Sequence, residues 1–201
     1  MIRSIFLAVA VAALFVAGPA QALDLNPLSA IKSAVEAAVE DRSADDIGTD
    51  TRIKAEITAE VVDKMASEVI SISADVYEQD VMLTGVVKTA EVRAKAARLA
   101  RSVEGVKKLY NEILVIKPVD KKKGAVEGFV DDTVIETKIN GLLLDASGVN
   151  VTNFRWRSVQ GHVFLFGRAL SAAELQKAAN IVKGIKGVAN VTNRAKVKPK
   201  G

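Results

Sequence analysis

The 201-residue chain has no cysteine, a single histidine (His162), one tryptophan and four prolines. Each shortage removes a class of function. Without cysteine there is no disulfide, no thiolate metal site, no cysteine nucleophile and no lipid attached through an N-terminal cysteine. One histidine excludes every metal motif that needs two, so no metal site and no cofactor is expected. The sequence contains no G-x-S-x-G, no P-loop and no G-x-G-x-x-G, so no catalytic residues are assigned and the chain is not read as an enzyme. Carboxylate pairs such as Asp131-Asp132 fall at a helix start, where capping accounts for them. Disordered and collagen-like classes are excluded by a composition that is 49% apolar and 26% charged.

The N-terminus reads as an address. Met1-Ile2-Arg3 is positive, Ile5 to Ala17 is uncharged and apolar, Gly18-Pro19 breaks the run, and Ala20-Gln21-Ala22 is an A-x-A cleavage site. That is the pattern of a secretory signal peptide. Its apolar run is shorter than the roughly 20 residues that cross a bilayer. Cleavage after Ala22 and a mature chain outside the cytoplasm are expected. Beyond it, residues 28 to 42 form a helical pattern with Leu28, Ile31, Val35 and Val39 on one side, expected to pack on a unit or on a partner helix. Charge is uneven: residues 118–201 carry 14 basic and 7 acidic side chains, whereas residues 46–117 carry 11 and 12. A polyanionic partner is one reading of that asymmetry, and a solubilising face is the other.

Shifting the sequence by 82 residues aligns it with itself without a gap. Asp50-Thr51 falls on Asp132-Thr133, Ile53 on Ile135, Ile57 on Ile139, Val81, Leu83 and Gly85 on Val163, Leu165 and Gly167, and Asn111 on Asn193. Two copies of one unit, near 46–117 and 128–198, are joined by a basic linker containing Lys121, Lys122 and Lys123. Each copy starts with a helix capped by Asp50 or Thr51, whose stripe Ile53, Ile57, Val61 and Met65 recurs as Ile135, Ile139 and Leu143. An alternating strand follows, then turn residues and a second strand, predicting an antiparallel hairpin. Thr89 and Ser171 start a second helix, with Ser171 and Glu174 forming a capping box, and Gly105 or Gly187 ends it. A third strand returns parallel to the second through a right-handed crossover. The fold class is therefore α+β: tandem αββαβ units, each a three-stranded mixed sheet with two helices on one face.

This order resembles the BON (bacterial OsmY and nodulation) domain family. The residues that carry the resemblance are Asp50-Thr51-Arg52-Ile53 with Asp132-Thr133-Val134-Ile135, Leu83-Thr84-Gly85 with Leu165-Phe166-Gly167, and Val103-Glu104-Gly105-Val106 with Ile185-Lys186-Gly187-Val188 before Asn111 and Asn193. The resemblance implies a non-enzymatic bacterial periplasmic module, often doubled, associated with phospholipid surfaces and with envelope integrity under osmotic or membrane stress. With no cysteine to acylate, the chain looks more like the soluble periplasmic members than the lipoproteins.

Two candidate lipid-binding surfaces follow. The repeat frame turns Phe154 and Trp156 inward, and sets Phe164 and Phe166 beside Arg155, Arg157 and Arg168 on the helix-free sheet face. That face either packs against the other copy or offers lipid a basic, apolar surface. The second candidate is the first helix of the C-terminal copy, with Val134, Lys138, Leu142 and Leu144. Consecutive Leu142, Leu143 and Leu144 cannot share one buried stripe, so Leu142 or Leu144 is expected at the surface, either against the linker or first unit or toward lipid. The resemblance associates this helix with lipid contact. The expected partner is an anionic phospholipid surface, with a chaperone-like role on envelope proteins as the alternative, and no nucleic acid.

Overall fold

The computed structural model describes residues 40–65, 71–116 and 131–199. The signal-peptide reading, most of the 28–42 helix and Lys121 to Lys123 lie outside the described residues. The first unit consists of α1 (Ala44–Met65), β1 (Ser71–Tyr77), β2 (Asp80–Val87), α2 (Ala90–Arg101), β3 (Lys108–Asn111) and β4 (Leu114–Val115). The second repeats it with α3 (Asp132–Leu144), β5 (Phe154–Val159), β6 (His162–Ala169), α4 (Ala172–Lys183), β7 (Asn190–Asn193) and β8 (Lys196–Val197), plus a 3-10 turn at Val151–Asn153. In each sheet the hairpin is antiparallel and the returning strand pairs parallel to the central β2 or β6. The protein is α+β with two mixed-sheet units, each carrying two helices.

The expected single third strand is split in two. The repeated asparagine causes the split: the side-chain oxygen of Asn111 accepts from the Ile113 N–H (3.4 Å) and that of Asn193 from the Ala195 N–H (3.0 Å). Such Asx turns draw the local backbone away from the ladder, and β4 and β8 resume the pairing beyond them.

Ile53, Ile57, Val61 and Met65 are buried against Val81, Leu83, Ala96, Ala100 and Val103 in one core. Ile135, Ile139 and Leu143 pack likewise with Phe154, Val163, Leu165, Ala178 and Val182, and Trp156 is half-buried at the edge of that second core. Each fully buried Ile, Leu, Val, Met or Phe contributes about 1.5–3 kcal/mol by leaving water.

Two local expectations need correction. The first helix starts at Ala44 with Ser43 accepting from the Asp46 N–H, so Asp50 lies inside the helix and does not cap it. Its carboxylate instead clamps the hairpin tip, accepting from the Glu78 and Gln79 N–H groups at 2.7 Å each. Asp132 does the same for Gln160 (2.7 Å) and Gly161 (2.9 Å), and also accepts from the Ser158 hydroxyl (2.6 Å), while Asp131 caps α3. The clamped residues have positive φ: Glu78 50°, Gln79 63°, Gln160 53° and Gly161 75°. This is the two-residue turn that suits the twist of a hairpin but strains side-chain-bearing residues, and the carboxylate offsets the strain. Second, the later helices end at Arg101 and Lys183, and Gly105 and Gly187 belong to the turns beyond. The Glu174 carboxylate reaches back to the Leu170 N–H, one residue before the capping serine.

The helix-free faces of the two sheets pack on each other. Tyr77, Met82, Phe164 and Phe166 form a third apolar cluster with Tyr110, Leu114 and Val159 around it. The Tyr110 and Phe166 rings meet edge-on at 5.9 Å. At the border Arg157 donates to both oxygens of buried Asp75 (2.8 and 3.0 Å). Burial opposes the Asp75 charge, but the charge and hydrogen bonds of Arg157, helped by Lys54, hold its carboxyl below the ordinary value.

Two outcomes are expected in urea unfolding. Asp132→Ala lowers stability by about 3 kcal/mol, because the hairpin tip loses its charged acceptor, whereas Asp131→Ala costs about 1 kcal/mol as an ordinary cap. Because Asp75 is depressed in the folded state, its contribution is complete above the ordinary value of 3.8 and disappears as pH falls through the lower folded value. The acid limb of stability against pH should therefore flatten in Asp75→Asn.

Candidate functional site

The described surface has five large apolar side chains that are markedly exposed, and three of them lie on α3: Val134 (44%), Leu142 (47%) and Leu144 (66%). The helix needs only one buried side, formed by Ile135, Ile139 and Leu143. At 100° per residue, Val134, Lys138 and Gly141 fall on the opposite side, with Leu142 and Leu144 flanking them. A Cβ added at Gly141 would meet nothing within 4 Å, so the middle of this strip is open.

The two acids inside the helix turn away from the strip, and its cap residues Asp131 and Asp145 stand exposed at the two ends. Asp132 turns to the hairpin tip, and the Glu136 carboxylate accepts from the Ser158 N–H at 2.8 Å. Burial pushes the Glu136 carboxyl above its ordinary value. Lys138 stands exposed on the strip. Lys177 on α4 is tied to the chain just past α3, donating to the Ser147 carbonyl at 2.6 Å. The result is an apolar strip with a lysine at its middle, and with Asp145 and Lys177 near its C-terminal end.

The equivalent strip on α1 is different in kind. Val134, Lys138 and Leu142 correspond to Arg52, Glu56 and Glu60 in the shift of 82. There Arg52 pairs with Glu56 and Lys64 with Glu60, both four residues apart. At these three positions the scaffold thus presents self-neutralised charges in the first unit and two apolar side chains about a lysine in the second.

The other sequence-derived candidate, the sheet face, is corrected. Phe164 and Phe166 are 3% and 2% exposed, sealed in the cluster between the units and not facing solvent. The arginines beside them are engaged in the same interface. Arg155 pairs with Glu40, donates to the Thr152 and Phe154 carbonyls, and lies over the Tyr77 ring at 5.5 Å. Arg157 is held by Asp75. Arg168 is buried and donates to the carbonyls of Asp41 (2.6 Å), Lys198 (2.9 Å) and Pro199 (2.9 Å). An apolar sheet face finds a better cover in a second sheet than in water, and the arginines follow it.

Sequence reasoning missed a strap. Residues 40–43 are not helical and cross to the second unit. The Asp41 N–H donates to Asn153 Oδ1 at 3.0 Å, and Asn150 and Asn153 donate to the Asp41 carboxylate at 2.6 and 3.2 Å. Arg42 bonds Asp50 and Glu40 and lies 4.4 Å from the centre of the Tyr77 ring. A Glu-Asp-Arg run reads as solvated surface; its partners 109 to 127 residues away give it a role. In the polar cleft beside the strap, Glu40 pairs with Arg155, Asp41 with Asn150 and Asn153, Asp46 with Ser43 and Gln79, and Glu78 with Arg168 and Lys198. Among the described residues no acid or histidine cluster could hold a metal ion, and no helix is long and apolar enough to cross a membrane.

Comparison with known proteins agrees with the duplicated architecture. The BON domain family matches residues 49–117 and again 131–199. Osmotically-inducible protein Y of Escherichia coli is 31% identical over 136 residues, 68% of this chain and 65% of that protein. Outer membrane lipoprotein DolP of Haemophilus influenzae is 30% identical over 120 residues, 60% of this chain and 59% of that one. An uncharacterized protein of Anaplasma centrale is 34% identical over 128 residues, 64% of this chain and 82% of its own length. The match therefore spans less than two thirds of each of the two named relatives. The chain belongs to the BON domain family, as a tandem pair of its domains.

Proposed function

We propose that this is a non-enzymatic periplasmic protein that engages anionic phospholipid surfaces reversibly through α3 of its second unit, and that it supports envelope integrity under osmotic or membrane stress. The observation that carries the reading is the exposed strip of Val134, Leu142 and Leu144 around Lys138. A helix lying in the interface sinks such side chains below the headgroups while its cations meet phosphate. The relatives support the setting: one is named for osmotic induction and another as an outer membrane lipoprotein.

The energies favour reversible attachment. Three partly inserted apolar side chains contribute at most about 1.5–3 kcal/mol each. Each basic residue near an anionic leaflet adds about 1 kcal/mol, screened within a Debye length. Lys121 to Lys123, in the basic linker that precedes the second unit in sequence, would add to this charge term. A role in holding client proteins on open sheet faces is less well supported, because those faces cover each other.

The mature chain is expected to co-sediment with phosphatidylglycerol vesicles at low salt, more weakly as salt rises and hardly at all with phosphatidylcholine. Leu142→Glu and Val134→Glu should each reduce binding about tenfold, a loss of roughly 1.4 kcal/mol, with the unfolding midpoint unchanged. Glu60→Gln, at the equivalent strip of the first unit, should leave binding as it is. Equal binding by the parent and both α3 variants, or no binding at low salt, rules the reading out.

A further inference from the structure

Residues 82 apart are equivalent in the two units, and two ion pairs between the units join a residue to its own equivalent. Arg157 holds Asp75 through two hydrogen bonds of 2.8 and 3.0 Å, and Arg194 Nε donates to Glu112 at 2.7 Å. Because the same helix-free face of each unit packs on the other, a residue that meets its own equivalent lies on a twofold axis relating the units. Met82 and Phe164, also equivalent, share the apolar cluster that lies between these pairs. Asp75, Met82 and Tyr110 lie side by side across the three strands, so the axis runs between the sheets, across the strands. The Asx turns at Asn111 and Asn193 break the third strands where Glu112 and Arg194 meet.

Such an interface is self-complementary: made by one sequence, it would set each axial residue against its own kind. Here the duplication has inverted the charge at both axial positions, acid in the first unit and base in the second. The inversion extends to the neighbouring position. Lys54 stands 3.7 Å from Asp75, and its equivalent is Glu136, which lies within the electrostatic reach of Arg157. First unit against first unit would bring Asp75 to Asp75 and Glu112 to Glu112. Second against second would bring arginine to arginine at both places.

We propose that these axial charges are a pairing code: the sheet face of each unit is an interaction surface for the opposite unit, of its own chain or of a second copy, and rejects its own kind. The consequence concerns assembly. If like units paired as well as unlike ones, tandem chains would link through alternating first–first and second–second contacts into open-ended strings. With only unlike pairing allowed, the short connection supplies the partner at high effective concentration and the chain closes on itself.

The test uses full mature chains. Asp75→Arg with Glu112→Arg makes every axial charge positive, Arg157→Asp with Arg194→Glu makes every one negative, and all four together restore opposite signs with reversed polarity. Each double variant is expected to lose urea midpoint, less so at high salt, and the fourfold variant to regain most of the loss. An equimolar mixture of the two double variants, warmed and cooled, is expected to form a dimer by light scattering, because only the opposite chain offers each unit a complementary face. The milder cycle of Glu112→Arg, Arg194→Glu and their combination, at the more solvated pair, should show the same loss and recovery even where position 75 does not accommodate arginine. A combined variant as unstable as the sum of its parts in both cycles overturns the proposal, as does a mixture that stays monomeric. Vesicle binding through α3 is read separately, so failure here leaves the lipid reading standing, and failure there leaves this one.

Discussion

A three-stranded sheet with helices on one side has a second side, and in this protein that side is apolar. The organisation of the molecule follows from the need to cover it. In the first unit the face carries Tyr77 and Met82, and in the second Phe164 and Phe166, and each set is the cover of the other. A unit of about 70 residues buries a smaller fraction of its surface than a larger domain does and is marginal alone. Docking adds a third core between two small ones, and the strap at Asp41 and Arg42 closes one border of it.

With the sheet faces committed to each other, contact with anything else falls to the helices and the loops. There the duplicated halves have diverged. The outer strip of α1 is a run of charges that neutralise one another, while the same strip of α3 is apolar with a lysine at its middle. The scaffold requires neither, because both helices keep their isoleucine stripe and both hold the hairpin tip with an aspartate. The difference is confined to side chains that the fold leaves in water, which is where binding can change without cost to stability.

The comparison of expectation and structure follows the same division. Helix stripes, the hairpin, the parallel return and the doubling were legible because each rests on a local period or on a repeat of 82 that holds along the chain. That Leu142 or Leu144 would reach the surface was legible too, since three successive leucines cannot share one buried stripe; the structure exposes both. Asp50 was misassigned because an aspartate beside a threonine looks like a cap; the strained turn it holds lies 28 and 29 residues away.

By itself, then, the sequence determined the unit, its repetition and the two faces of every element, since these depend on side-chain periodicity within a few residues. Only the tertiary structure decided which apolar face would remain in water. Phe164 and Phe166 look more like membrane-seeking residues than Leu142 does, yet they are buried and it is not. The physical reason is that covering a sheet face requires a second surface of matching shape and charge, and that surface is brought into place by residues 82 positions distant, a relation no local pattern encodes.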